Sequence, residues 1–65
     1  MRSSRTPTVS PAQAEAMKAA YEMGYFEVPR GASSETVAAE LGVSKSAFLE
    51  RLRRGERALL RHILD

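Results

Sequence analysis

Residues 36–52 read TVAAELGVSKSAFLERL, and the spacing of small and apolar residues among them is the clearest indication of the fold. Gly42 stands four residues after the small Ala38. The large apolar residues Phe48 and Leu52 follow six and ten residues after the glycine. Glycine adopts the left-handed backbone that a tight corner between helices needs, and apolar residues four apart lie on one helix face. The stretch therefore predicts two helices joined by a tight turn at Gly42, which is the helix-turn-helix pattern.

Serine residues mark where both helices of this motif begin. Serine is a preferred N-cap because its hydroxyl accepts a hydrogen bond from a free backbone N–H of the first turn. Ser33 or Ser34 starts the first helix, which we predict over residues 33–41. Ser44 caps the second helix, which we predict to begin at Lys45 and to run to about residue 64.

Gly55 interrupts the apolar pattern of the second helix. Glycine inside a helix costs about 1 kcal/mol relative to alanine. Two interpretations are open: Gly55 marks a close contact with the helix predicted upstream, over residues 11–23, or it divides the segment into two helices. The predicted inner face consists of Phe48, Leu52, Gly55, Leu59 and Ile63.

Upstream of the motif, residues 11–23 predict a further helix. Ser10 is a suitable N-cap, Pro11 suits the first helical position, and Gly24 stands where a helix commonly ends. The predicted buried stripe of this helix consists of Ala16, Met17, Ala20, Tyr21 and Met23. Residues 25–29 predict an extended connector in which Phe26 and Val28 fill the core, before Pro29 ends regular structure.

These elements predict an all-α fold of three helices, or four if Gly55 breaks the last one. The chain has 65 residues, which is enough for one small domain. We expect residues 1–8, rich in Ser, Thr, Arg and Pro, to form a flexible arm, and residues 9–65 to form the helix-turn-helix domain.

Composition excludes several classes of function. The chain has no cysteine and one histidine, His62, so neither a disulfide nor a thiolate metal site is available. No Ser-His-acid set, phosphate loop or metal cluster is present, so we expect no enzymatic activity, no cofactor and no small-molecule ligand. No apolar run approaches the ~20 residues that span a bilayer, and we expect a cytoplasmic protein that associates with the nucleoid and does not enter the membrane.

Positive charge is concentrated in the final third of the chain. Residues 45–61 contain six Lys and Arg residues and two Glu residues, whereas residues 1–44 carry a net charge of −1. A basic helix on a nearly neutral support is typical of a protein that binds a polyanion. On charge alone, a solvated helix face explains the pattern equally well.

The motif predicts which residues meet double-stranded DNA. With Phe48 and Leu52 facing the core, the opposite side of the same helix faces outward, and its first turn normally meets base edges in the major groove. The candidates for base contacts are Lys45, Ser46, Leu49, Glu50 and Arg53. Leu49 has an alternative role in contacting the helix predicted over residues 11–23. Glu50 has an alternative as the ion-pair partner of Arg54, which we favour slightly.

A second group of residues is better suited to the DNA backbone. Basic side chains near the flanks of the helix bind phosphate without reading sequence, and helix starts offer free N–H groups to the same oxygens. The candidates for phosphate contacts are Arg30, Ser33, Ser34, Ser44, Arg54 and Arg57.

Apolar residues crowd the end of the last helix and predict self-association. Leu60, Ile63 and Leu64 give more apolar surface than a 65-residue monomer needs, so we expect them to form the interface of a homodimer. Such a dimer is compatible with DNA binding. The alternative function is a protein-protein interaction or dimerisation module that uses this fold without binding DNA.

Four segments resemble the bacterio-opsin activator type helix-turn-helix domain of haloarchaeal transcription regulators. They are residues 10–13, 19–30, 36–44 and 52–60, and AYEMGYFEVPR is the most specific of them. The second half alone is also similar to region four of sigma factors. The resemblance covers about residues 9–61 and implies a sequence-specific DNA-binding transcription regulator with Lys45, Ser46, Glu50 and Arg53 on its recognition helix. Members usually carry the domain behind sensor domains.

Overall fold

Three helices make up the part of the chain that the computed structural model describes, which is residues 9–64. They are α1 (Pro11–Glu22), α2 (Ser34–Leu41) and α3 (Lys45–Leu64), and no strand occurs within these residues. The predicted all-α helix-turn-helix fold is confirmed. The predicted arm, residues 1–8, and the last residue lie outside the described residues.

The start of α1 is fixed by a reciprocal pair of hydrogen bonds. The Gln13 backbone N–H donates to the Ser10 hydroxyl, and the Ser10 N–H donates to the Gln13 side-chain oxygen, each at 3.2 Å. This capping box satisfies two backbone donors that the first turn would otherwise leave without a partner. Pro11 occupies the first turn, as predicted, where its missing N–H removes no helical hydrogen bond.

A left-handed glycine ends α1, and another ends α2. After α1, Gly24 has φ of +82°, and the Tyr25 N–H donates to the Ala20 carbonyl. After α2, Gly42 has φ of +72°, and the Val43 N–H donates to the Ala38 carbonyl. Both ends thus form the same two-bond motif, in which a glycine allows the chain to turn back over the last helical turn.

The core lies where the three helices meet. Its buried apolar residues are Ala16, Ala20, Val37, Ala38, Phe48 and Leu52. The Tyr25 ring meets the Phe48 ring edge to face, with centroids 5.6 Å apart. Small alanines on α1 and α2 leave room for the large side chains that α3 inserts between them.

Gly55 forms a close contact with α1, and it does not break α3. The helix is continuous through Gly55, which is buried, and a Cβ atom added there would lie 2.8 Å from the Met17 methyl carbon. The glycine therefore leaves the space that the flexible Met17 side chain occupies.

Four residues predicted to be buried are exposed. Tyr21 is 73% exposed and Phe26 46%, so the predictions that they fill the core are wrong. Val28 is 97% exposed, and Ile63 is 70% exposed instead of continuing the inner face of α3. The left-handed turn at Gly24 directs Tyr25 back onto the core and leaves Phe26 and Val28 facing outward.

Candidate nucleic-acid interface

One side of α3 faces solvent along its whole length. A helix turns by about 100° per residue, which puts a polar and basic row on the side opposite Phe48 and Leu52. All members of this row are exposed: Ser46, Glu50, Arg53, Arg57 and Arg61. Arg53 and Arg57 form no salt bridge within residues 9–64. Their guanidinium groups are therefore available to an anion.

Lys45, at the first position of α3, is exposed and paired across the motif. Its Nζ lies 3.3 Å from the Oε2 atom of Glu35, which belongs to the first turn of α2. The pKa of Glu35 is lowered, first by the hydrogen bond from its own backbone N–H and then by the hydrogen bond and charge of Lys45. Sequence reasoning missed Glu35, because the only available signal was an acidic residue in the first turn of a helix.

Leu49 and Glu50 both contact other residues of the domain. Glu50 pairs with Arg54, one turn later, at 3.0 Å, as the favoured alternative predicted. Leu49 is half-buried and packs against the core cluster, so most of its surface is committed to the fold. Of the candidates for base contacts, Ser46 and Arg53 lie on the outer side of α3 and form no salt bridge within residues 9–64, whereas Lys45 is exposed but pairs with Glu35.

The serine residues at the helix starts act as caps. The Ser33 hydroxyl accepts a hydrogen bond from the Thr36 N–H at 3.2 Å, which identifies Ser33 as the N-cap of α2. The Ser44 hydroxyl accepts from the Ala47 N–H at 3.1 Å. The Ser34 hydroxyl donates to the Glu35 carboxylate at 3.4 Å. These bonds fix the first turns of α2 and α3 at the motif.

Arg30 is engaged within its own loop. Its guanidinium carbon lies 4.4 Å from the centre of the Tyr25 ring, and its Nε donates to the Tyr25 carbonyl oxygen at 3.1 Å. The side chain remains exposed to solvent. Arg30 therefore stabilises the loop that leads into α2, in addition to any contact with a ligand.

Basic and apolar residues alternate along the second half of α3. Shallow depressions of about 400 Å³ and 340 Å³ follow it, and arginines line both. The larger one also contains Leu60 and Leu64. Leu60 is 55% exposed, Ile63 70% and Leu64 78%. Arg61, which the sequence analysis did not single out, extends the basic row into this region.

Two further features of residues 9–64 bear on other classes of function. No group of three or more His, Cys, Asp or Glu side chains there could hold a metal ion. None of the three helices is both long enough and apolar enough to cross a membrane.

Comparison with known proteins supports the resemblance described above. The family model of the HTH DNA binding domain matches residues 9–61. The transcriptional regulator NarO of Haloferax volcanii is 47% identical over 53 residues, which are 82% of this chain and 25% of NarO. A putative transcriptional regulator of the same organism is 48% identical over 42 residues, 65% of this chain and 7% of that protein. The matched part of this chain thus spans a quarter of the length of NarO and less than a tenth of the length of the putative regulator. No solved structure matches.

Proposed function

The chain belongs to the HTH DNA binding domain family of the bacterio-opsin activator type, and from this premise we propose that it recognises a specific site on double-stranded DNA and regulates transcription. The first half of α3 enters the major groove. Base contacts come from Lys45, Ser46 and Arg53, with smaller parts for Leu49 and Glu50. The observation that carries this proposal is the exposed basic face of α3, held outward by the Gly42 corner.

Backbone phosphates complete the proposed interface. The positive charge of α3 orients this side of the domain toward DNA. Each phosphate that a basic side chain neutralises makes the binding affinity more dependent on salt concentration. The proposed phosphate contacts come from Ser33, Ser34, Ser44, Arg54, Arg57 and the guanidinium nitrogens of Arg30 that do not bond to Tyr25. We extend the proposal to chromosomal DNA in the cytoplasm as the target.

Two arginine substitutions test the orientation of the interface. Replacing Arg53 with alanine should weaken binding to a selected site by about 1–3 kcal/mol and relax its sequence preference, because Arg53 reads a base. The change Arg57→Ala should weaken binding to all duplexes about equally and reduce the salt slope by about 1, because Arg57 binds phosphate. Fluorescence anisotropy with a duplex selected from a random pool, at several salt concentrations, measures both effects.

A matched charge change elsewhere controls for net charge. The variant Lys18→Ala removes one positive charge from the exposed side of α1 and should leave the sequence preference unchanged. Wild-type affinity in both arginine variants would show that α3 does not face DNA. Absence of any DNA binding at low salt would favour the alternative, an interaction module that uses this fold without DNA.

We further propose that two copies associate through the end of α3. The support is the exposure of Leu60, Ile63 and Leu64, since contiguous exposed apolar residues mark interfaces more often than free surface. A two-fold dimer would present two α3 helices to half-sites about 34 Å apart. Sedimentation equilibrium should give a dimer that Leu64→Ser dissociates. A monomer at micromolar concentration contradicts this part of the proposal alone.

A further inference from the structure

Glu35 and Lys45 meet at an exposed site where the starts of α2 and α3 lie side by side. They are ten residues apart in sequence, and the turn at Gly42 brings the first turn of α2 next to the first residue of α3. The side chains are 67% and 52% exposed, respectively, so the pair lies in water at the surface where the first turn of α3 begins. An anion that approaches there therefore competes with the Glu35 carboxylate for the Lys45 ammonium group.

The Glu35 carboxylate is bonded by two donors of the kind that proteins offer to phosphate. One of its oxygens accepts from the Lys45 ammonium group at 3.3 Å. The other accepts from the Ser34 hydroxyl at 3.4 Å. An ammonium group and a hydroxyl are donors that proteins commonly offer to a DNA phosphate oxygen. The carboxylate therefore holds both donors in the absence of DNA.

The pair is weak enough to be exchanged. Ion pairs between exposed side chains contribute little, because water and salt screen them and because both long side chains lose freedom. A DNA phosphate supplies the same negative charge together with the stronger field of the whole duplex. Lys45 can thus transfer from Glu35 to a phosphate at a small free-energy cost.

We propose that Glu35 is an exchangeable counter-ion for Lys45: it holds the ammonium group at the start of α3 in the free protein and yields it to a backbone phosphate when DNA binds. The inference rests on the proposed function and assigns Lys45 to the backbone in place of a base edge. Opening the pair lowers affinity for every duplex by the same factor. Glu35 is a positioning residue, because it acts on DNA only through Lys45.

The test replaces the carboxylate with its neutral amide. We expect Glu35→Gln to tighten binding about two- to fivefold on the selected site and on an unrelated duplex alike, since an exposed ion pair is no longer opened. The salt slope should steepen by up to about 1, because Lys45 then contributes its full share of counter-ion release. Glu40→Gln removes the same charge from the other end of α2 and should change both quantities less.

A double-mutant cycle shows whether the effect passes through Lys45. In the Lys45→Gln background, Glu35→Gln should change affinity by less than half as much, because no ammonium group remains to be released. Equal tightening in both backgrounds would mean that Glu35 repels DNA directly and would overturn the inference. Unchanged or weaker binding by Glu35→Gln would overturn it as well. Thermal unfolding of each variant establishes that it is folded.

The two proposals fail differently. If the wild-type chain binds no DNA at low salt, the proposed function itself is wrong. If the wild type binds and Lys45→Gln shifts sequence preference without changing the salt slope, Lys45 reads a base, and only the counter-ion role is excluded.

Discussion

The corners at Gly24 and Gly42 use the same backbone device and lead to different structures. In both, the glycine N–H and the N–H of the next residue donate to carbonyls of the helix that has just ended. After Gly42, α3 begins within three residues, because Ser44 is an N-cap. After Gly24, the chain forms a loop that closes on the glycine itself, with the Gly31 N–H donating to the Gly24 carbonyl at 2.8 Å.

The space around the two glycines differs accordingly. A Cβ atom on Gly24 would lie 3.3 Å from the Gly31 Cα atom, which is backbone and has little freedom to move. A Cβ atom on Gly42 would meet nothing within 4 Å. A left-handed glycine thus specifies only the end of a helix. The residues that follow decide whether the corner becomes a packed loop or an open turn.

The largest effect is expected at the packed corner. The change Gly24→Ala should lower the free energy of unfolding by about 2 kcal/mol, because it combines left-handed backbone strain with crowding against Gly31. Urea denaturation followed by circular dichroism measures the loss. A loss no greater than that of the corresponding Gly42 variant would show that the loop moves aside without cost, and the comparison would not hold.

A smaller effect is expected at the open corner. The change Gly42→Ala should cost about 1 kcal/mol, since only the backbone strain applies and the methyl group has free space. The control Ala39→Gly, at an exposed position of the same helix, separates this cost from helix propensity. A loss of about 2 kcal/mol in the free energy of unfolding would indicate that the added methyl group distorts the turn, despite the open space around it.

The smallest change in stability is expected from Arg30, which stacks on Tyr25 within the packed loop. The change Arg30→Ala should cost about 0.5–1 kcal/mol, because the side chain stacks on Tyr25 at an exposed site. The salt slope of DNA binding should decrease less in Arg30→Ala than in Arg57→Ala. An unchanged unfolding midpoint together with a slope reduced by about 1 would make Arg30 a pure phosphate contact.

Sequence alone predicted the ends of the helices well because local chemistry sets them. Ser10, Ser33 and Ser44 cap as expected, and Gly42 and Gly24 stop the helices as expected. These signals depend on hydrogen bonds within three or four residues. The three-helix fold followed from them together with the spacing of Phe48 and Leu52.

Burial was harder to predict because it depends on how the helices meet. An extended connector would bury Phe26 and Val28, whereas the left-handed turn at Gly24 brings Tyr25 onto Phe48. Gly55 left two interpretations open, and the choice depended on where Met17 lies. The Glu35–Lys45 pair also joins two helices, and no rule for neighbours along one helix could have found it.

The length of α3 carries a consequence beyond either corner. Its 20 residues form one uninterrupted rod of about 30 Å, from Lys45 at the motif to Leu64. A stiff rod acts as a lever, so a tilt of about 10° imposed at the leucine end displaces the other end by ~5 Å. Under the proposed function, a partner bound at Leu60 and Leu64 would thereby set the angle at which the Lys45 end of α3 meets DNA, so that association at one end and DNA binding at the other would be mechanically coupled.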